Sequence, residues 1–130
     1  MTTRATLNSK GFAEYFEALV KLGRDVDQVA ADMLQAGGQV LVDGMKQRVP
    51  KDTHNLEEHL VCTEPERDGN YTFVVVGMDP NTDAETARYG NAQEYGTSSM
   101  SAQPYIRPTL DSDMSTARKA MKQVLIEGGL

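Results

Sequence analysis

One cysteine, Cys62, among 130 residues excludes an internal disulfide and suits a reducing compartment. Long apolar runs are missing too. None approaches the ~20 residues of a membrane span, so no membrane partner is expected. Met1-Thr2-Thr3-Arg4 lacks the apolar segment of a secretory leader, and none is expected. Asn70-Tyr71-Thr72 therefore carries no weight as a glycosylation acceptor. There is no Gly-rich phosphate loop, no internal repeat and no low-complexity tract.

Histidine is scarce. His54 and His59 stand five apart, a poor spacing for one face of a helix or strand beside Cys62. With a single thiol, a zinc site would need acids to complete it. Asp79-Pro80-Asn81-Thr82-Asp83 alternates oxygen ligands as a calcium loop does. Its sixth position is Ala84 rather than Gly and its twelfth is Gly90 rather than Glu, so a polar loop is the better reading. A Cys62–His59 nucleophile pair is conceivable, yet Cys62 follows Leu60 and Val61, where cysteine reads as a small buried hydrophobe. No catalytic residue, metal or cofactor is expected.

What is present describes one soluble domain. Hydrophobic residues make up 39% and charged residues 25%, enough to bury a core without staples. The seven methionines fall mostly on helical faces (Met33, Met45, Met114, Met121) and read as core filling. The net charge of −6 is uneven. Asp52 to Ala87 holds nine acids and one base, Arg67, which is −8 and leaves +2 for the rest. Such a surface repels phosphate and argues against tight nucleic-acid binding. It reads either as a solvated face or as a wall that DNA slides past.

Periodicity predicts an α+β fold. Phe12, Phe16, Leu19, Val20 and Leu22 suggest a short helix after a frayed start over residues 1–10, with Gly23 near its end. Val26, Val29, Ala30, Met33, Gly37, Val40, Leu41 and Gly44 share one stripe, which predicts a helix from about 25 to 48. Asp25 and Asp27 at its start and Lys46 and Arg48 at its end suit the helix dipole, and Pro50 bars continuation. Gly37-Gly38 costs this helix about 1 kcal/mol per glycine or permits close approach of another backbone. Leu56–Thr63 and Tyr71–Met78 read as a hairpin of strands, its charged turn tipped by Gly69-Asn70. Arg88–Tyr95 fits a strand or a short helix, and periodicity does not decide. Tyr105–Ile106 fits an edge strand beside a proline. Asp111 is a candidate N-cap for a last helix along Met114, Ala117, Arg118, Met121 and Leu125, ended by Gly128-Gly129. The expected architecture is a sheet of three to four antiparallel strands, with the long helix and the shorter last helix on one face.

Two motifs stand apart from this frame. Tyr89 to Leu110 packs Glu94-Tyr95-Gly96-Thr97, a connector with Ser98, Ser99 and Ser101, and then Ala102-Gln103-Pro104-Tyr105-Ile106-Arg107-Pro108. Each proline fixes its own φ and biases the residue before it towards extended backbone. Tyr105, Ile106 and Arg107 are therefore expected on a stiff extended arm, with Tyr105 as an anchor and Arg107 as a partner for a carboxylate on a neighbour or at Glu94. Tyr105 capping the domain's own core is the competing reading. Upstream, Pro50-Lys51-Asp52-Thr53-His54-Asn55-Leu56 forms a turn before the first expected strand.

These motifs resemble the tail-completion, or head–tail joining, family of long-tailed bacteriophages. That family has an acid-aromatic-Gly-Thr turn, a polar loop and an Ala-Gln-Pro-aromatic-x-Arg-Pro segment, and upstream a Pro-x-Asp-Thr-Gly-x-Leu turn. Here His54 replaces the usual Gly, and His59 stands where Ser is common. The resemblance covers about the last two thirds of the chain. It implies a structural virion protein of the neck that completes the tail and joins it to the filled head. It implies a homo-oligomer, in the virion a hexameric ring through which DNA passes without specific binding, with a monomer in solution as the alternative state. Expected partners are head-completion or connector proteins and tail terminator or tail tube proteins, with assembly in the host cytoplasm. The contact residues implied are Glu94, Tyr95, Gly96, Thr97, Pro104, Tyr105, Arg107 and Pro108, with Pro50, Asp52, Thr53 and Leu56 as the turn. The alternatives are a prophage-encoded interaction module, acting as a cytoplasmic homodimer without enzymatic activity, and a small hydrolase using Cys62 and a histidine.

Overall fold

The computed structural model describes residues 4–50 and 56–129. Its elements run β1 (Arg4–Asn8), α1 (Ala13–Lys21), α2 (Val26–Arg48), β2 (Leu60–Cys62), β3 (Glu66–Asp68), β4 (Tyr71–Met78), α3 (Ala84–Tyr95) and α4 (Arg107–Glu127). The α+β architecture expected from periodicity is the one observed.

The antiparallel sheet is built around β4. On one side β1 pairs along it from Arg4↔Gly77 to Asn8↔Phe73. On the other side β2 pairs as Cys62↔Val76 and β3 as Glu66↔Phe73. Thr63 N–H still donates to the Val75 carbonyl at 2.9 Å. One extra residue is therefore absorbed around Glu64–Pro65, a bulge where proline's missing N–H costs no ladder bond. Alternation sends Leu7, Leu60, Val74, Val76 and Met78 to one face, all buried.

That face is covered by α2, which Asp25 caps by accepting the Gln28 N–H at 3.2 Å. The helix is buried on two sides. Leu34, Leu41, Val42 and Met45 are at most 2% exposed, and each such side chain contributes about 1.5–3 kcal/mol over its exposed state. Gly38 faces the sheet, where an added Cβ would run into Cys62 Sγ and lie 3.4 Å from Val74 and Val76. Gly37 faces α4, where a Cβ would stand 2.7 Å from Met121. Gly44 does the same beside Asp113 and Thr109, and Gly128 lies against Val29. These contacts run in opposite directions along the two helices, so α2 and α4 are antiparallel. Of the two readings of Gly37-Gly38, close backbone approach is the one realised.

Four expectations need correction. The supposed frayed start contains β1, whose Arg4-Ala5-Thr6-Leu7-Asn8 alternation buries Leu7 opposite Val74. The first hairpin strand is shorter than Leu56–Thr63, because Leu56–His59 is a 3-10 turn that drops Leu56 into the core at 0% exposure. Of the two readings of Arg88–Tyr95, the helix is the one realised: Asp83 accepts the Thr86 N–H at 3.0 Å and starts α3. Tyr105–Ile106 is no edge strand and Asp111 no cap. Ile106 already has helical backbone (φ −86°, ψ −54°), and Pro108 sits in the first turn of α4, where its missing N–H is no loss.

Gly38→Ala should lower stability. The alanine gains about 1 kcal/mol of helix propensity, but over-packing against Cys62 costs about 1–3 kcal/mol. A net fall of several degrees in melting temperature is expected. Cys62→Ala alone should also destabilise. Added to Gly38→Ala it should restore part of the loss, and strict additivity in the thermal double-mutant cycle would contradict the packing described.

Candidate functional site

The two halves of the Tyr89–Leu110 motif close on each other. Gly96 ends α3 at φ +76° and donates to the Ala92 carbonyl at 2.7 Å. A Cβ there would stand 2.9 Å from Ala102 N and 3.0 Å from Met100 O, so glycine is required by dihedral and by space. Ser98 and Ser99 are not a loose connector. They form a tight turn closed by Thr97 N–H to Met100 O at 2.8 Å and Met100 N–H to Thr97 O at 3.3 Å. Gln103 N–H then returns to the Gln93 carbonyl at 2.6 Å.

Glu94 is the centre. Its side chain is buried, with the residue 4% exposed. Oε1 accepts the N–H groups of Tyr105 at 2.9 Å and Ile106 at 2.8 Å, and Oε2 accepts that of Arg107 at 3.2 Å. The first turn of α4 has no acidic residue of its own, and Ile106 offers no capping side chain. Glu94 does that work from another helix, satisfying amides that lack intrahelical partners and complementing the dipole. Arg107 thus meets Glu94 through its backbone, and its side chain is exposed.

Tyr105 is 0% exposed and is not on an extended arm. Its hydroxyl donates to the Gly90 carbonyl at 3.2 Å, and its own carbonyl accepts Thr109 Oγ1–H at 2.6 Å. Burial, then the Glu94 charge, push the phenol well above its ordinary range. Capping of the domain's own core is therefore the role seen for Tyr105. An added Cβ at Gly90 would lie 2.5 Å from Met78 Cε, 3.1 Å from Tyr105 Oη and 3.7 Å from Leu56 Cδ2. The upstream turn and the downstream motif so converge on one small residue. Pro50 is half-buried after α2, while Asp52 and Thr53, with His54, lie outside the described residues. A second tie holds α2 to α4: Arg48 pairs with Asp113 at 2.8 Å and also reaches the Gly44 carbonyl and Thr109 Oγ1.

The motif's outer rim is Tyr95, Thr97, Pro104 and Arg107, all exposed, with Gly96 and Pro108 half-buried. Gly90, Thr109 and Asp113 were not singled out as site residues from sequence, and Arg48 was read only as a complement to the helix dipole. Gly90 carried the only signal, as a glycine amid bulky neighbours. Other candidate groups are engaged locally. Asp79 Oδ1 accepts the Asn81 N–H at 2.9 Å, and His59 Nδ1 meets Thr82 Oγ1 at 3.3 Å. Burial, then the Glu64 charge, push the Cys62 thiol up. Among the described residues no cluster of three His, Cys, Asp or Glu could hold a metal ion.

Removing the Glu94 carboxylate should be costly. Glu94→Ala strands three amides and should lose about 3 kcal/mol, roughly 10 °C in melting temperature for a chain of this size. Glu94→Gln keeps one acceptor oxygen but turns an NH2 towards the Arg107 N–H, and should lose about half as much. Equal melting of Glu94→Ala and the wild type would refute the capping role.

No curated relative and no solved structure matches the chain significantly. A family model described as "Bacteriophage HK97-gp10, putative tail-component" matches residues 11–96. The match spans α1 to Gly96 and stops before the Ala102–Pro108 segment. It takes in 86 of the 130 residues, and on that footing the chain belongs to the HK97-gp10-like family of bacteriophage tail components.

Proposed function

We propose that the chain is a non-enzymatic subunit of the phage neck, completing the tail and joining it to the DNA-filled head as a ring around the DNA path. The observation that carries this reading is Arg107. Its guanidinium is exposed and has no partner among the described residues. A cation in the first turn of a helix gains nothing from the dipole. Yet the backbone beneath it is tied down: Glu94 Oε2 accepts the Arg107 N–H at 3.2 Å, and Thr109 holds the nearby Tyr105 carbonyl at 2.6 Å. A rigidly mounted, unpaired guanidinium beside Pro104 suits bidentate capture of a partner's carboxylate.

Several observations support a structural rather than catalytic role. The Cys62 thiol is shifted away from reactivity, and the carboxylates of Asp79 and Asp83 are used in a turn and a helix cap. The acidic segment divides in two. Glu57, Glu58, Asp79, Asp83 and Glu85 gather where β4 ends, since Asp79 N–H donates to the His59 carbonyl at 2.7 Å. This end is the proposed lumen side, where like charge keeps DNA from sticking.

Arg107→Ala should melt within about 2 °C of the wild type and yet lose most head–tail joining in vitro. Tyr105→Ala should lose about 3–5 kcal/mol, as buried aromatics do, and fail at both. Full joining by Arg107→Ala would overturn the docking role.

A further inference from the structure

A cleft of about 540 Å³ opens between β1, α1 and α4. Its apolar lining includes Leu7, Phe12, Tyr15 and Met114, with the Phe12 and Tyr15 rings 5.9 Å apart. Arg118 and Lys122, one turn apart on α4, supply its cations. Both are exposed and neither has an acidic partner among the described residues. An apolar cleft with two unpaired cations suits a segment that alternates acids with a nonpolar residue.

The chain itself carries such a segment on its opposite flank. Strand order β1-β4-β2, with β3 on the β2 side of β4, puts the cleft at one edge of the sheet and the bulged β2–β3 strand at the other. That bulged edge reads Glu64-Pro65-Glu66-Arg67-Asp68, with all three acids exposed. Arg67 is already engaged by Asp27 at 2.7 Å. Pro65 removes one donor from the edge and supplies the nonpolar residue. Because the two surfaces lie on opposite flanks, one copy can offer both at once.

We propose that the cleft receives the Glu64–Asp68 edge of a second copy of this chain. The contact is heterologous, head to tail, and such contacts close into rings when the rotation permits. The inference rests on the ring reading and gives it a surface.

The test uses two charge-reversal variants, Arg118→Glu/Lys122→Glu in the cleft and Glu64→Lys/Glu66→Lys on the edge. Circular dichroism checks the fold, and native mass spectrometry and sedimentation read assembly at low salt. The wild type should form oligomers that dissociate as salt rises. Each variant alone should associate at least tenfold more weakly. Their equimolar mixture should restore assembly as alternating hetero-oligomers, because the native edge of one variant meets the native cleft of the other and the reversed edge meets the reversed cleft. A chain carrying both reversals should reassemble. A wild type that stays monomeric at its highest soluble concentration overturns the proposal. So does either variant assembling like wild type, or a mixture in which the two variants do not associate with each other. Normal head–tail joining by both variants overturns the cleft assignment and leaves the neck reading standing. Failed joining by the wild type overturns the neck reading, and the mixing experiment still decides the cleft.

Discussion

The carboxylate of Glu94 is the constraint on which the C-terminal half of the fold depends. A buried charge without a cation beside it is costly unless hydrogen bonds replace its water. Here three backbone N–H groups do so, and they belong to the residues that open α4. The dependence is mutual. Those amides have no side-chain cap of their own, since Ile106 stands at the cap position and Pro108 follows. The end of α3 and the start of α4 are therefore fixed together, with Gly96 and the Thr97–Met100 turn making the reversal between them.

From α4 the constraint passes to α2 and then to the sheet. Arg48 and Asp113 set one end of the helix pair, and Gly44, Gly37 and Gly128 let the backbones close along its length. Gly38, one residue from Gly37 and turned towards the sheet, lets α2 approach β4 as well. Helix propensity is sacrificed at three interior positions of α2. In return a single helix packs against two layers, and Leu34, Leu41 and Met45 reach near-zero exposure. Stability here comes from close approach at the glycines together with the large side chains that α2 buries between them.

What the sequence made legible follows from the same physics. The helix stripe and the Asp25 cap placed α2, and the Val74–Val76 run placed β4, because these are local signals. The Ala-Gln-Pro-Tyr segment misled. Prolines at 104 and 108 favour extended residues before them, but three amides converging on Glu94 outweigh that bias and start α4 at Arg107. Nothing local announces a cap supplied by a residue eleven to thirteen positions upstream. β1 was missed because five residues with one buried leucine give a weak alternation, and only β4 makes a strand of them. Arg88–Tyr95 stayed undecided because its burial pattern follows contacts of Gly90 and Glu94 with distant residues, not an apolar stripe. At the candidate site the motif residues were legible and their roles were not. Tyr105 was readable as anchor or as core, and only its burial separates the two.

The −8 segment illustrates how a composition signal splits once folded. Sequence treats Asp52 to Ala87 as one acidic block, yet β4 carries the chain from one end of the sheet to the other. Glu64, Glu66 and Asp68 lie along the bulged edge, while Asp79, Asp83 and Glu85 lie beyond the far end of β4. A ring subunit needs a lateral surface that attracts its neighbour and an inner surface that DNA does not wet. One sign of charge serves both uses only if the two groups point in different directions. Under the proposed reading the edge acids meet Arg118 and Lys122 of the next copy, and the far-end acids repel phosphate. The lateral group gains attraction from the partner's cations, and the inner group serves by repelling phosphate.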